Sequence, residues 1–509
     1  MVSTDHGRPL SQSGSLLTRR PGVDQLAVAA VITAIGLFAL YFSWLSIRRA
    51  AVYDAQSHDL ANMWQTVWNV AHGQGFSFTH QEWGINTPRL AVHADYLLMA
   101  FAPLVRIWPR PELLLVSQAA VAGAGAWFVY RLARRRLGRP TTAVILAISY
   151  LFYGPLQTAV TYQFHAITLA PTFILGLVEA VVSGRRVWVF WLWLVLLLIT
   201  KEQVGFIVGP LSWWLWWRRG RRALAWTSLG LAWVYSAAHF FFIIPSQAPN
   251  GQHFVLQFYY GDLGSGLIAQ MTSIFNPATW LDRFGPREFA SALYLLVPIG
   301  FLPLFSPWMV FAFLALVPHW LAQGWTPSSV LYHNHVLAIP FLWLGAMHGW
   351  ERIQRWWPAM FRHRPPVVTG YLVLWVVVGS TLIGLLPWSR TFDSAYLLRD
   401  PELAVVRRKK EEFIRPTDRV AYSRGLALLM KDRQTAWFLP RGAQQADVVA
   451  LYKPIFSWPR QEELFLDRLR KFLQTSPAYA AVYADEHFQL YRKSPGAWPG
   501  DWPVELKPP

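Results

Sequence analysis

Long apolar runs recur along most of this chain, and they constrain its fold more than any other feature. A segment of about 20 apolar residues is long enough to cross the hydrocarbon core of a bilayer. Many runs in the chain approach or exceed this length, from near the N-terminus to residue 387. Hydrophobic residues make up 54% of the 509 residues. The sequence therefore predicts an all-α polytopic membrane protein.

About eleven transmembrane helices are expected from these runs. They are placed at 26–47, 113–132, 141–159, 166–182, 187–200, 203–217, 224–244, 290–305, 308–322, 336–350 and 367–387. The segment from Tyr96 to Trp108 is shorter than a span and is interpreted as a helix on the membrane surface. With this assignment the basic clusters at 134–136, 185–186, 218–222 and 352–364 fall on one side, which the positive-inside rule places in the cytoplasm. Arg48-Arg49, directly after the first span, falls on the other side. The plasma membrane is the expected location, with a cytoplasmic N-terminus.

The formal net charge of +18 raises the question of a nucleic-acid partner. The basic residues lie in short clusters between apolar runs, for example at 134–136 and 218–222. Positive-inside bias explains such clusters, and the 29 Trp fit interfacial belts. No nucleic-acid partner is therefore expected. With no cysteine in the chain, a disulfide framework and thiol chemistry are excluded.

Three parts are expected along the chain. Residues 1–24 are interpreted as a disordered cytoplasmic tail, and 25–389 as the transmembrane domain with a first extracytoplasmic loop at 48–112. Beyond 390 the chain becomes more charged, and strands alternate with helices. The predicted strands are 419–423, 446–452, 480–484 and 488–491, and the predicted helices are 425–432 and 462–473. This pattern predicts a small extracytoplasmic α/β domain over 390–509, with a structural role or that of a lid.

The polar segment between the first span and the surface helix concentrates ionisable residues beside the membrane, including Asp54, Asp59, His93 and Asp95. Apolar residues after Asp59 recur at helical spacing, which predicts an amphipathic helix with Asp59 as its N-cap. Capping alone explains a single aspartate, but ionisable groups beside a membrane are costly to keep. Asp59 is therefore the candidate general base or metal ligand, with Asp54 and Asp95 as further carboxylates.

Further candidates lie at the ends of later spans, on the same predicted side. They are Lys201, Glu202, His165, His333 and His335, and with His93 they are assigned to the binding of a substrate phosphate. Lys201 and Glu202 lie in a tight turn between two spans. The pattern fits a lysine that binds a phosphate. It fits equally well a local ion pair of the two residues, with the lysine side chain snorkelling to the membrane interface. His333 and His335 are two residues apart and would not share a helix face. As loop residues they are able to converge on a phosphate or a metal.

Several short motifs occur in a fixed order: His58-Asp59-Leu60, His72-Gly73-Gln74-Gly75-Phe76, Val92-His93, Gln163-Phe164-His165, Lys201-Glu202 and Tyr332-His333. In this order they resemble a family of multi-pass membrane proteins, domain of unknown function 2079. That family belongs with the GT-C superfamily of polyprenyl-phosphate-sugar glycosyltransferases. In that superfamily a second acidic residue commonly follows the catalytic aspartate, whereas this chain has Trp64. Asp54 or Asp95 is the candidate substitute.

The resemblance implies a GT-C-like fold and a specific reaction. A sugar would pass from a polyprenyl-phosphate donor to a glycan, lipid or protein acceptor on the extracytoplasmic face, usually with inversion of the anomeric centre. Asp59 is the position most similar to the catalytic aspartate. No tightly bound cofactor is expected, and a divalent cation (Mg²⁺ or Mn²⁺) on Asp59 and Asp95 is left open. The alternatives are a non-enzymatic transporter or flippase of lipid-linked saccharides, and a membrane scaffold.

Overall fold

The computed structural model of the protein describes residues 21–52, 58–264, 266–274, 276–356, 365–397, 402–453 and 460–496. Helices dominate the chain up to residue 382. The α-helices of this part are α1 (Pro21–Val52), α2 (His58–Ala71), α3 (Ala102–Val105), α4 (Glu112–Leu137), α5 (Pro140–Leu151), α6 (Gly154–Tyr162), α7 (Ala170–Val182), α8 (Val187–Leu198), α9 (Val204–Arg218), α10 (Arg222–Ala237), α11 (Ile244–Gln247), α12 (Phe254–Tyr260), α13 (Leu267–Ile274), α14 (Pro277–Arg283), α15 (Pro286–Leu296), α16 (Trp308–Leu321), α17 (Ile339–Trp356) and α18 (Pro365–Leu382).

Every segment that the sequence assigned to a membrane span contains helix in the structure. Within the described ranges, three helices are long and apolar enough to cross a membrane, namely Gly22–Ala51, Glu112–Leu137 and Arg222–Gln247. The pair α5 and α6, bent by 41°, makes a fourth candidate. The remaining predicted spans coincide with shorter helices or with helices broken by turns. The protein is thus an all-α polytopic membrane protein with a small C-terminal sheet region.

The start of α1 differs from the sequence-based boundary. The helix begins at Pro21, so residues 21–24 are helical although the sequence assigned them to the tail. The rest of the predicted tail, 1–20, lies outside the described residues.

Residues 58–111, between α1 and α4, form a layer of short helices and strands. After α2 come the antiparallel strands β1 (Ser77–His80) and β2 (Gly84–Pro88), a hairpin that the sequence analysis did not predict. The segment interpreted as a surface helix is a 3₁₀ helix at Tyr96–Phe101 followed by α3. The N–H of Leu97 donates to the carbonyl of Ile199 at 2.9 Å, which fastens this layer to the turn after α8.

Close helix packing holds the membrane part together. A Cβ on Gly154 would lie 1.7 Å from the carbonyl oxygen of Ile383, so α6 begins directly against the chain that follows α18. Gln118 in α4 fixes the turn after α6, because its amide donates to the carbonyls of Val160 and Gln163, each at 2.8 Å. That turn carries His165, and its geometry is therefore set from a neighbouring helix.

The C-terminal part contains one five-stranded sheet. Its strands are β3 (Val420–Tyr422), β4 (Ala436–Phe438), β5 (Val448–Tyr452), β6 (Tyr479–Ala484) and β7 (Phe488–Lys493), and its α-helices are α19 (Glu402–Phe413), α20 (Ala427–Met430) and α21 (Arg460–Thr475). The strand order is β4-β3-β5-β7-β6. Strand β3 runs parallel to β4 and β5, whereas β7 is antiparallel to β5 and β6. The predicted strands and helices are confirmed. The sequence analysis missed the three-residue β4 and the highly charged α19.

Candidate functional site

Ion pairs at the two ends of α4 distinguish the two ends of the helix bundle. The ion pairs that join the basic clusters are Arg134–Asp24 (3.2 Å), Arg136–Glu351 (2.8 Å) and Arg131–Glu179 (2.7 Å). At the other end of α4, Glu112 pairs with Arg407 of the C-terminal part at 3.6 Å. The candidate site residues meet at this second end, together with the sheet region.

Asp59 and two histidines form the centre of the site. Asp59 lies in the first turn of α2, and its Oδ2 is 3.4 Å from Nε2 of His165. The ring of His165 stacks on that of His333, with centroids 3.5 Å apart and planes inclined by 17°. Tyr162 stacks beside both rings, at centroid distances of 5.8 and 5.9 Å. Residues far apart in sequence thus form one aromatic and ionic group.

The N-cap role predicted for Asp59 is wrong. The helix already includes His58, and Asp59 is directed to His165. Instead, the side-chain oxygen of Gln163 accepts the N–H of Leu60 at 2.8 Å. A backbone N–H in the first turn of a helix has no acceptor within the helix. Here a side chain from the turn after α6 supplies that acceptor. Asp59 therefore keeps its carboxylate for the site.

The carboxylate of Asp59 is both accessible and strongly acidic. Half of the side chain is exposed. Desolvation by its surroundings on its own raises the pKa, but the hydrogen bond and charge of His165, with further help from His58 and Arg89, outweigh it and lower the pKa of Asp59 to about 2. Asp59 is consequently ionised across the neutral range. Burial, and then the charge of Asp59, raise the pKa of Tyr259 in α12.

His93 and Glu202 form a buried pair next to Lys201. Nδ1 of His93 is 3.0 Å from Oε1 of Glu202, and Oε2 of Glu202 accepts the N–H of Ala94 at 3.0 Å. Burial opposes ionisation of Glu202, but the charge and hydrogen bond of His93, together with the Lys201 charge, lower its pKa well below the usual range. Glu202 therefore fixes the orientation of His93.

The ammonium group of Lys201 has no ion-pair or hydrogen-bond partner among the residues that the structure describes. Its ammonium group acts on several histidines: after burial, which is the larger cause, the Lys201 charge lowers the pKa of His93 and contributes to that of His253 and His333. The local ion pair with Glu202 considered from the sequence is absent from the described contacts, since the partner of Glu202 is His93. A lysine without a counter-ion beside several imidazoles is suited to binding an anion.

His253, which the sequence analysis did not single out, is the most unusual of these groups. It precedes α12 and is only 5% exposed. Neither of its ring nitrogens has a hydrogen-bond partner within the described part of the chain. Burial lowers its pKa to about 4, so the ring is neutral at pH 7. Buried polar nitrogens are rarely left without a hydrogen-bond partner. In the sequence, only the position of His253 in a loop rich in aromatic residues pointed to it.

Asp95 occupies a structural position instead of facing Asp59. It is 2% exposed, and its carboxylate accepts from Arg89 Nε at 2.9 Å and from Arg89 Nη2 at 2.6 Å. This bidentate pair uses both oxygens. The role of Asp95 as a second catalytic carboxylate therefore gains no geometric support. Arg89, a buried arginine that the sequence analysis missed, places its charge within reach of Asp59.

Of the remaining candidates, His335 has a structural contact and Asp54 is not described. His335 donates from Nε2 to the carbonyl of Pro155 at 2.8 Å and is buried, so it holds the loop in place while His333 faces His165. Asp54 lies outside the described residues.

Among the described residues, no group of three His, Asp or Glu side chains is able to hold a metal ion. A divalent cation remains a prediction from the sequence.

Comparison with protein families gives one match. Residues 53–451 match the family described as "Predicted membrane protein (DUF2079)". The matched range contains all the site residues described above and extends through β3 and β4 into β5. No curated protein matches the chain.

The solved structures that are similar to the chain as a whole include two of the same protein. Both are crystal structures of ArnT from Cupriavidus metallidurans, one bound to undecaprenyl phosphate and the other in the apo state. Each has a TM-score of 0.49 and 11% sequence identity. The first covers 94% of this chain and 99% of that chain, and the second covers 92% and 98%.

Proposed function

Because the chain belongs to the predicted membrane protein family DUF2079, we propose that it is an integral membrane glycosyltransferase of the GT-C type. It moves a sugar from a polyprenyl-phosphate donor to an acceptor hydroxyl. The observation that carries this proposal is an accessible, ionised carboxylate, Asp59, in the same site as an unpaired lysine, Lys201. A base and an anion-binding cation are the two groups that such a transfer needs.

In the proposed reaction Asp59 accepts the proton of the acceptor hydroxyl. The hydroxyl oxygen attacks the anomeric carbon, and the bond from that carbon to the phosphate oxygen breaks. The electron pair leaves with the polyprenyl phosphate, and the anomeric centre inverts. The low pKa of Asp59 keeps it ionised at neutral pH, and the negative charge of a bound phosphate raises that pKa towards a value better suited to a base. His165 holds the carboxylate and stabilises its charge.

The donor phosphate is assigned to Lys201, His93, His253 and His333. Lys201 supplies a positive charge, and the imidazoles supply N–H donors. Within the described residues, both ring nitrogens of His253 and Nδ1 of His333 have no hydrogen-bond partner, and phosphate oxygens satisfy such donors. Glu202 keeps His93 in one orientation.

The site is assigned to the extracytoplasmic face. The basic cluster that contains Arg134 and Arg136, which form ion pairs with Asp24 and Glu351, lies at the end of the bundle away from Asp59. Positive-inside bias places such clusters in the cytoplasm. The same reasoning places the C-terminal sheet outside the cytoplasm.

Native mass spectrometry of the purified protein tests the proposal. We expect a co-purifying polyprenyl phosphate or phospho-sugar that is lost in Lys201→Ala and retained in Lys471→Ala, a control at an exposed lysine of α21. Only bulk phospholipid on the intact wild-type protein would count against the donor site. That result would favour a transporter of lipid-linked saccharides or a scaffold.

A further inference from the structure

Helix α2, which carries Asp59, belongs to two hydrophobic cores at once. Its residues Leu60, Trp64 and Val67 pack into the core of the membrane helices. Ala61, on another face, packs in the same cluster as Val420 of β3. The C-terminal sheet therefore completes the packing around α2.

Polar contacts from the turn after α20 reinforce this packing. The Nε2 atom of Gln65 donates to the carbonyls of Arg433 at 2.9 Å and Gln434 at 3.1 Å. On the other side, Oε1 of Gln65 accepts the N–H of Thr79 at 2.9 Å. Gln65 is fully buried, so these bonds lock α2, β1 and the sheet region together.

Lys431 contacts α2 about one turn after Asp59. Its Nζ donates to Oδ1 of Asn62, one turn after Asp59, and to the carbonyl of Thr79 at 3.0 Å. The side chain is 2% exposed. Both acceptors are neutral, although a buried ammonium is costly without a carboxylate. Two charges act on it, that of Arg89, which repels it, and that of Asp59, which attracts it.

We propose that Lys431 is a positioning residue for Asp59, through which the C-terminal domain holds the first turns of α2 in the orientation needed for transfer. The sheet region then supports α2, the helix that carries Asp59. The ammonium group of Lys431 is buried there because its hydrogen bonds to Asn62 and Thr79 hold that helix in place. This inference rests on the proposed function for the role of Asp59. The contact with α2 itself does not depend on it.

Lys431→Met tests the proposal, with Lys493→Met as the matched control. Lys493 lies in β7 of the same sheet and also donates to a carbonyl, that of Gln444 at 2.9 Å. Amide hydrogen exchange over residues 58–71 is expected to become faster by at least about fivefold in Lys431→Met and to stay unchanged in Lys493→Met. The kcat of transfer is expected to fall by about a hundredfold with KM for the donor nearly constant. Lys431→Arg restores most of the kcat.

Binding of added decaprenyl phosphate separates this inference from the proposed function. Lys431→Met is expected to bind it as tightly as the wild type, because the groups assigned to the phosphate lie elsewhere. If the wild type binds none, the proposed function fails while the exchange result still decides the positioning role. Wild-type exchange in α2 of Lys431→Met, or an equal loss of kcat in Lys493→Met, would overturn the inference.

A second variant covers the case in which Lys431→Met does not fold. Asn62→Ala removes one acceptor of the ammonium and leaves the bond to Thr79 in place. We expect faster exchange in α2 and a kcat reduced by about tenfold. Unchanged exchange and unchanged kcat in Asn62→Ala would contradict the proposal.

Discussion

The imidazole rings of His165 and His333 stack at a centroid distance of 3.5 Å, although 167 residues separate them in the chain. Two cationic rings at this distance repel each other, and burial followed by the charge of His165 keeps the pKa of His333 well below its usual range. His333 is thus neutral. The stack places this neutral ring against the imidazole of His165, which also contacts Asp59.

Asp59→Asn is expected to abolish sugar transfer and to leave the protein folded. The amide has nearly the same shape but is not a base, and general-base catalysis contributes about 10²–10⁴-fold to rate. Transfer of radiolabelled sugar from the co-purified donor measures the loss. Asp282→Asn, at a highly exposed carboxylate of α14, serves as control and is expected to keep full activity. Full activity of Asp59→Asn would remove the central assignment.

His253→Phe separates a binding role from a structural one. Because both ring nitrogens lack partners in the described part of the chain, an apolar ring of similar size is expected to leave the Tm unchanged or raise it. The affinity for decaprenyl phosphate is expected to fall by about tenfold, as for a lost hydrogen bond to a charged group. A strongly lowered Tm with unchanged affinity would mean that His253 is structural.

Arg89→Met is expected to destabilise the protein strongly. It leaves Asp95 buried at 2% exposure without its guanidinium partner, and breaking a buried pair in this way costs about 3–5 kcal/mol. The double variant Arg89→Met/Asp95→Leu is expected to recover much of that stability, because no buried charge remains. Thermal unfolding in detergent measures both. Equal destabilisation in the two variants would show that the arginine acts through other contacts, such as its packing over Phe78.

The stability of the protein is expected to depend on pH through Lys431. Burial, and then the charge of Arg89, lower its pKa from 10.5 to about 7 in the folded protein. Between pH 7 and 10.5 the unfolded chain binds more protons at this residue, so the stability of the wild type relative to Lys431→Met rises with pH in this window. Below pH 7 the difference is constant.

Thermal unfolding of both proteins from pH 6 to 10 checks this dependence. The ionisable groups coupled by charge to Lys431 are Asp59, Arg89 and His80, Asp432 follows it in the chain, and all four are present in both proteins. A difference that stays flat across the range would show that Lys431 titrates normally.

The membrane helices and the C-terminal sheet follow from patterns that are local in sequence. Apolar runs long enough for a bilayer mark the spans, and alternating short strands and helices mark the sheet region. The clustering of ionisable groups at one membrane face is also visible, because it depends only on where each run ends. These features let the sequence identify Asp59, His165, Lys201 and His333 as members of one site.

Tertiary structure decided which groups pair with one another. Asp95 is bound to Arg89, Glu202 is bound to His93, and Gln163 replaces Asp59 at the start of α2. The contact of Lys431 with Asn62 crosses 369 residues, so no local spacing reports it. The pairing of side chains depends on the packing of helices and strands that are distant in sequence. The sequence therefore indicates which charged residues lie at the site, but only the tertiary structure decides which partner each of them has.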